Sequence, residues 1–424
     1  MLYGANGAGK SNLVRALSFL RDLINEGTEP KEPIARRPFL LDRVSAAQPT
    51  AISVQFVESG RVYALGVKVT DKVVTEEWLS LIQYGAEVPV FQRFTNDQNE
   101  VTIEAGAVLT DDSWGTHQKV VALTKVGVLP NQLFLHAVGQ SLQEKDQGPV
   151  MVGALRWFAE RLAIVHPSTP FKGLTRWLAR NPRFSEFAGN FLRRVATGVD
   201  RLRTDSVEVD EKTLVAFSDE IRKRIAEMTA GETIPIKGPD GSETVVEKCS
   251  GTSVRLHMIQ SEHLTADGDR VALPFPEESD GTQRLTHLLP ALHSVDRVPA
   301  VFIIDEIDRS LHPLLAKGFV RAFLGACAAK GGQLIFTTHE TAFLDLDLLR
   351  RDEIWFADKK RAEGTTELYS LSDFKVRTDL KVDKAYLQGR FEAVPPIEAE
   401  LPAWVNMIIE ELKPRVSSGE NVPT

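Results

Sequence analysis

Cysteine is almost missing. Cys249 and Cys327 are the only two among 424 residues, and they lie too far apart in sequence to form a metal-type cluster. No zinc-type ligand spacing occurs, and such sparing use of thiols suits a reducing cytoplasm. Long apolar runs are missing too: none approaches the ~20 residues needed to span a bilayer. Glycines interrupt the N-terminus at once, so no secretory signal is expected. Positive charge is in short supply. With 50 Lys and Arg against 58 Asp and Glu the net charge is −8, which argues against wholesale wrapping by nucleic acid but leaves room for a local basic patch. There is no internal repeat and no low-complexity tract. No Ser-His-Asp arrangement can be assigned, and no Arg-x-x-x-x-His ribonuclease motif is convincing. What remains is an ordinary globular composition, 43% hydrophobic and 25% charged, in a chain long enough for roughly two or three domains.

The first residues carry the sharpest signal. Gly4-Ala5-Asn6-Gly7-Ala8-Gly9-Lys10-Ser11 matches the phosphate-loop pattern G-x-x-x-x-G-K-[ST] at every fixed position. Glycines let successive backbone N–H groups turn toward an anion, and a helix N-terminus adds partial positive charge. Lys10 is placed to reach the β- and γ-phosphates of ATP, and the Ser11 hydroxyl to bind Mg²⁺. Gly4 to Asn12 form the expected nucleotide-binding set, followed by an amphipathic helix carrying Leu13, Leu17, Leu20 and Ile24. Only Met1, Leu2 and Tyr3 precede the loop, fewer than the usual strand of about five or six residues. This predicts a missing first strand or hairpin, with a weaker core beneath the loop and the sheet edge in doubt, unless a neighbouring segment completes that edge.

Farther on, AISVQFV, RVYALGVKV, KVVTEEWLSLI and PVFQRF alternate and are separated by turn residues, which predicts an antiparallel meander. From about Val120 the pattern becomes helical, most clearly in GALRWFAERLAIV, and segments 183–200 and 212–229 continue it. Residues 230–245 read as a loop or hairpin tip. Strands resume at VRLHMIQSEHL and RVALPF. A helix is expected from Thr282 to about His293, then a buried strand AVFIIDE, a helix from Leu314 to Ala329, and strands QLIFTTHE, EIWFAD and ELYSLS.

Val301-Phe302-Ile303-Ile304-Asp305-Glu306 has the form of a Walker B segment, an apolar strand whose terminal carboxylates emerge beside the phosphate loop. Asp305 would hold Mg²⁺, and Glu306 would position and polarise the attacking water. A core strand capped by exposed acids fits the same letters. His339, at the carboxyl end of the expected strand QLIFTTHE, is placed to hydrogen-bond the γ-phosphate, although a lone histidine also fits an ordinary loop. Arg309-Ser310-Leu311-His312 occupies the place of a dimer-contacting loop, although His312 also fits a helix start before Pro313. Ser279-Asp280-Gly281 opens a helix: Ser279 or Asp280 suits an N-cap, and the same geometry suits the γ-phosphate of a second nucleotide.

Together these pieces resemble the ABC-type ATPase heads of transporters, RecF, Rad50 and SMC proteins. YGANGAGKSNLVRAL, VVTEEWL, ESDGTQRL, FIIDEID with SLHP, TTHETAFLD, and LYSLSDF with YLQGRF are similar to the AAA15-type ATP-binding proteins of prokaryotes, relatives of the ATPase half of OLD-family nucleases. The resemblance spans nearly the whole chain. It implies an α/β ABC-type P-loop ATPase head with an antiparallel β lobe and a mixed α/β insertion. It also implies that Ser279 and Gly281 act as a signature loop across a head-to-tail homodimer or larger homo-oligomer, with His339 as the switch histidine. A glutamine contacting the site is expected from the same kinship; Gln140 is the leading candidate, with Gln143 or no glutamine as alternatives. ATP and Mg²⁺ are the implied ligands. Anti-phage defence with a separately encoded effector, a nuclease or toxin, is the implied setting.

Rival readings have their own residues. Asp267-Gly268-Asp269 is a candidate Toprim-type metal pair, but also a natural hairpin turn. Arg193, Arg194, Arg201 and Arg203 form a basic run that would suit DNA phosphates in a RecF-like repair ATPase, or simply a solvated face. The stretch from Lys10 to Asp305 is longer than a compact transporter ATPase requires. The expected organisation is an ATPase part at 1–130, a helical and mixed insertion at 131–250, a second ATPase part at 251–393, and an extension at 394–424 containing AWVNMIIEEL.

Overall fold

A computed structural model describes residues 1–111, 117–167, 171, 173–210, 214, 217–237, 243–249, 251, 253–294, 300–327, 331–360, 362–374, 382–387 and 391. The extension expected at 394–424, its AWVNMIIEEL segment and part of YLQGRF lie outside the described residues. In chain order the strands are β1 (Leu2–Tyr3), β2 (Thr50–Glu58), β3 (Arg61–Val69), β4 (Val74–Gln83), β5 (Ala86–Thr95) and β6 (Val101–Ala105). They continue with β7 (Leu162–Val165), β8 (Val199–Asp210), β9 (Thr233–Lys237), β10 (Glu243–Lys248), β11 (Ser253–Leu264) and β12 (Arg270–Pro274). The last are β13 (Val301–Ile304), β14 (Gln333–Thr338), β15 (Trp355–Lys359) and β16 (Thr366–Ser370). The helices that matter for the site are α1 (Lys10–Asn25), α2 (Phe134–Ser141), α3 (Pro149–Arg156), α4 (Pro182–Arg194), α5 (Asp280–Ser294) and α6 (Pro313–Cys327).

Three sheets result. The central one has the order β16-β15-β1-β14-β13-β7. Its strands run parallel except at the β15–β16 edge. The meander forms the antiparallel sheet β2-β3-β4-β5-β6, and β9 to β12 form a third sheet, with β8 paired to β11.

The apolar strands explain the layering. Along β13, Phe302 and Ile304 join the core that packs against α4, α5 and α6, while Ile303 joins the core shared by α1 and the meander. A strand buried on both faces must be apolar at successive positions. Each such side chain contributes about 1.5–3 kcal/mol by leaving water. The short β1 is interior. Leu2 and Tyr3 pair in parallel with Thr337 and Thr338 on one side and with Trp355 and Phe356 on the other. The expected weakness at a sheet edge is therefore corrected: two flanking strands hold this strand, and it delivers Gly4 to the carboxyl end of the central sheet.

Other expectations change as well. The helical run GALRWFAERLAIV ends in a π-type turn at Trp157–Arg161, and LAIV becomes β7, hydrogen-bonded to β13. A boundary at 131 also divides elements that pack together: Phe134, Val138, Met151 and Phe158 share a core with Val14, Leu20 and Ile24 of α1. Segment 183–200 is helical only to Arg194, after which Val199 begins β8. The stretch 230–245, expected as a loop or hairpin tip, instead contains strand β9 and the start of β10, which pair antiparallel; residues 238–242 lie outside the described residues.

Candidate functional site

The phosphate loop is built by glycine geometry. Gly7 and Gly9 have φ of 79° and 99°, a region open to glycine at no steric cost. A Cβ on Gly9 would stand 2.1 Å from Thr366 Oγ1, and that hydroxyl instead donates to Ala8 O at 2.9 Å. Asn6 and Gly7 are exposed at the loop tip. Lys10, the first residue of α1, is buried and donates to Gly4 O at 2.6 Å and Ala5 O at 3.0 Å. Burial lowers its pKa, opposed by Asp308, Glu306 and Asp305. The next turn places the Asn12 side chain as acceptor for Arg15 at 3.2 Å.

The second half arrives on β13. Ser11 Oγ donates to Asp305 Oδ1 at 3.1 Å, and Thr337 Oγ1 on the neighbouring β14 donates to the same oxygen at 2.6 Å. Thr337 Oγ1 also accepts from Glu306 N at 2.8 Å. Glu306 itself has φ +48°, a left-handed backbone that costs a non-glycine residue about 1–3 kcal/mol and is typical of functional positions. Its carboxylate lies 3.8 Å from the Arg309 guanidinium. His339 stands just beyond β14 with Nδ1 3.2 Å from Asp308 Oδ2, and its carbonyl accepts from Tyr3 OH at 3.2 Å. Lys10, Ser11, Asp305, Glu306 and His339 therefore meet at the carboxyl ends of β1, β13 and β14. A cleft of about 1240 Å³ runs from there along α1, lined by Ser11, Asn12, Asp305, Glu306 and Arg309 at this end and reaching Leu23, Glu26 and Gly27 at the other.

Ser279 Oγ accepts from Thr282 N at 3.2 Å, so the N-cap assignment holds at the start of α5. Gly281 backs onto the loop after Glu306: a Cβ there would stand 2.8 Å from Ser310 O. Ser279 and Gly281 are not among the residues lining the cleft of their own chain. His312 resolves toward its helix-start reading, since its Nδ1 accepts from Leu314 N at 3.2 Å.

Gln140 is not brought to the site. It lies on α2 in a hollow with Ile24 and Asn25, at the far end of α1. Asn25 ends that helix, about 22 Å along its axis from Lys10 at 1.5 Å per residue. Gln143 precedes a helical turn beyond α2 and is exposed. The residue that does reach the cleft from the strand beside β13 is His166, which follows β7 directly. Its Nε2 pairs with Ser18 Oγ on α1 at 2.8 Å. Burial lowers its pKa, with the nearby Asp305 charge opposing. A signal for it existed: AIVH has the same form as FIIDE and TTH, a short apolar run closed by a polar residue. Two more residues went unmarked, Thr337 and Arg284. Arg284, on α5, is buried and donates to the carbonyls of His166 at 3.0 Å, Asp305 at 2.9 Å and Glu306 at 3.3 Å. Burial pushes its pKa down to about 10.

The residues of the rival readings are placed elsewhere. Asp267-Gly268-Asp269 forms the turn between β11 and β12, with Gly268 at φ 87°. In the basic run, Arg193 and Arg201 pair with Asp200, and Arg203 with Asp205 and Glu262. The third sheet does align Ser206, His257 and Glu247, with both links at 2.8 Å. Ser206 lies on β8, His257 on β11 and Glu247 on β10, within the sheet and away from the phosphate-loop cleft. Among the described residues, no helix is long and apolar enough to cross a membrane.

No curated protein matches the sequence. Solved structures with a similar course include the SMC head domain from Thermotoga maritima, at 13% identity over 87% of this chain and 88% of that one, TM-score 0.31. Another is the SMC head bound to the C-winged helix domain of ScpA, at 15% identity over the same shares, TM-score 0.32. The family described as "AAA domain, putative AbiEii toxin, Type IV TA system" matches residues 1–93 and 160–345. Those two stretches are more than half of the chain and contain the phosphate loop, β7, the α5 start, β13 and His339. The chain belongs to this family of AAA-type ATPase domains.

Proposed function

We propose that this protein is a Mg²⁺-dependent ATP hydrolase whose two half-sites close on ATP in a head-to-tail pair of chains, and that it acts as a nucleotide-controlled switch on a separate effector protein in anti-phage defence. The observation that carries the enzymatic part is the meeting of Ser11 Oγ and Asp305 Oδ1 at 3.1 Å, beside the strained Glu306 and the Lys10 cradle. A hydroxyl and a carboxylate are hard oxygen donors of the kind Mg²⁺ takes together with waters and substrate phosphates. Bound there, the ion would neutralise charge on the transferring phosphoryl group. Lys10 exchanges its loop carbonyls for phosphate oxygens, Glu306 orients and polarises the attacking water, and His339 donates to the terminal phosphate.

Ser279 is exposed at the head of α5, and neither it nor Gly281 lines the cleft of its own chain, which supports their service to a partner's nucleotide. The family's description names a toxin and a type IV toxin–antitoxin system, and that kinship supports the defence setting and a second protein. The carboxylate pairing of Arg193, Arg201 and Arg203 counts against a DNA-binding face there. Steady-state hydrolysis and equilibrium ATP binding test the reading. Lys10→Ala should abolish binding, and Glu306→Gln should bind ATP while turning over at least about 100-fold more slowly. Normal turnover by Glu306→Gln would sink the water-positioning role.

A further inference from the structure

We propose that Arg284 is a positioning residue that couples the two nucleotide half-sites carried by one chain. The inference rests on the paired-site reading above, in which Asp305 and Glu306 serve the chain's own nucleotide while Ser279 and Gly281 serve the partner's. These two groups lie on different elements, the end of β13 and the start of α5. One guanidinium joins them. Its Nη1 donates to His166 O at 3.0 Å, and its Nη2 to Asp305 O at 2.9 Å and Glu306 O at 3.3 Å.

The carbonyls belong to two parallel strand ends, β7 and β13, so the planar fork fixes the spacing between them. An ammonium on a flexible stem cannot reproduce that fork. The group is 6% exposed, leaving little room for water to take over its donors. The Glu306 carbonyl is also the one attached to the left-handed residue, so holding it fixes where that carboxylate points. Behind Arg284, Gly281 meets Ser310 O with no space for a side chain. A shift of the α5 start against a partner's nucleotide therefore moves the Asp305–Ser310 segment through two rigid contacts.

The test measures ATP hydrolysis against ATP concentration, ATP binding, and solution mass for the full chain and its Arg284→Gln and Arg284→Lys variants. Wild type should double in mass with ATP and Mg²⁺ and hydrolyse with a Hill coefficient approaching ~2, as expected for two linked sites. Arg284→Gln should bind ATP within about threefold of wild type, yet lose roughly tenfold or more in kcat and fall to a Hill coefficient near ~1. Arg284→Lys should regain part of kcat without regaining the cooperativity. Unchanged kcat and Hill coefficient, with only a lower melting temperature, would make Arg284 a structural tie and overturn the coupling. A wild type that never doubles in mass fails the paired-site reading itself, and the coupling with it. Should the variants not fold, hydrogen exchange on Ser279→Arg decides: ATP and Mg²⁺ must slow exchange across 280–294 although closure is blocked, and no change there overturns the proposal.

Discussion

Thr337 shows how much one hydroxyl can organise. It sits on β14, between the phosphate-loop strand and β13, donates to the Asp305 carboxylate at 2.6 Å and accepts from the Glu306 N–H at 2.8 Å. The Asp305 carboxylate and the Glu306 backbone are thus referenced to one atom. Replacing it with the isosteric Val leaves a buried N–H without an acceptor, at a cost of about 1–3 kcal/mol. Thr337→Val should therefore lower stability by that amount in urea melts and reduce kcat by about tenfold through the loosened Glu306. Thr337→Ser should restore both. If Thr337→Val turned over like wild type, the geometry of Glu306 would have to be set elsewhere, with its strained backbone the next suspect.

At the scale of elements, helices are tied to neighbouring layers by single side chains. Glu77 on β4 accepts from Phe134 N at 2.6 Å and Leu135 N at 3.0 Å, holding the start of α2, while its cross-strand partner Arg93 donates to the carbonyls of Val74, Leu129 and Pro130. This is the acid within the VVTEEWL motif, and its work is structural. Glu77→Leu should destabilise the protein by about 3–5 kcal/mol in denaturant titrations, because it strands a buried cation and two N–H groups. On α5, His287 Nδ1 accepts from Phe171 N at 3.2 Å, and burial together with Arg284 pushes its pKa down to about 4. An unfolded histidine titrates near ~6.5. Between these values the unfolded chain binds the extra proton, so stability is full above about pH 6.5 and falls as pH drops toward 4. Urea midpoints at pH 7.5, 6 and 5 should decline in that order, and His287→Gln should flatten the decline. Much of this scaffold was legible: the phosphate loop, β13 with its acids, the meander and His339 follow from spacing and apolar pattern. The strand β7 was not, because LAIV continues the apolar run of α3 and only pairing with β13 converts it to a strand. Gln140 was misplaced for a related reason. Sequence proximity to the meander says nothing about which end of α1 a helix will face. Arg284 was hidden because its acceptors are backbone carbonyls, which leave no residue-specific mark.

At the scale of the whole molecule, the proposed paired site draws its two halves from different surfaces of the chain. The phosphate loop, Asp305 and Glu306 open into a broad cleft, while Ser279 and Asp280 stand exposed at the head of α5. In the proposed pair, a dense polyanion between two such surfaces would bind the closed form better than the open one, and only that differential affinity could drive closure. Each chain carries a net charge of −8, so bringing two together is opposed by repulsion that Mg²⁺ and salt relieve. Light scattering on Glu306→Gln, which should bind ATP without consuming it, reads the outcome directly. Its mass should double with ATP and Mg²⁺ together, and doubling should strengthen between low and physiological salt. It should vanish when Lys10→Ala is added, since no nucleotide is then held. Ser279→Arg should stay single while still binding ATP, because only the surface offered to the partner is changed. A larger assembly unmoved by ATP would mean that the chains are held by other contacts, and that the nucleotide reshapes a standing complex from within.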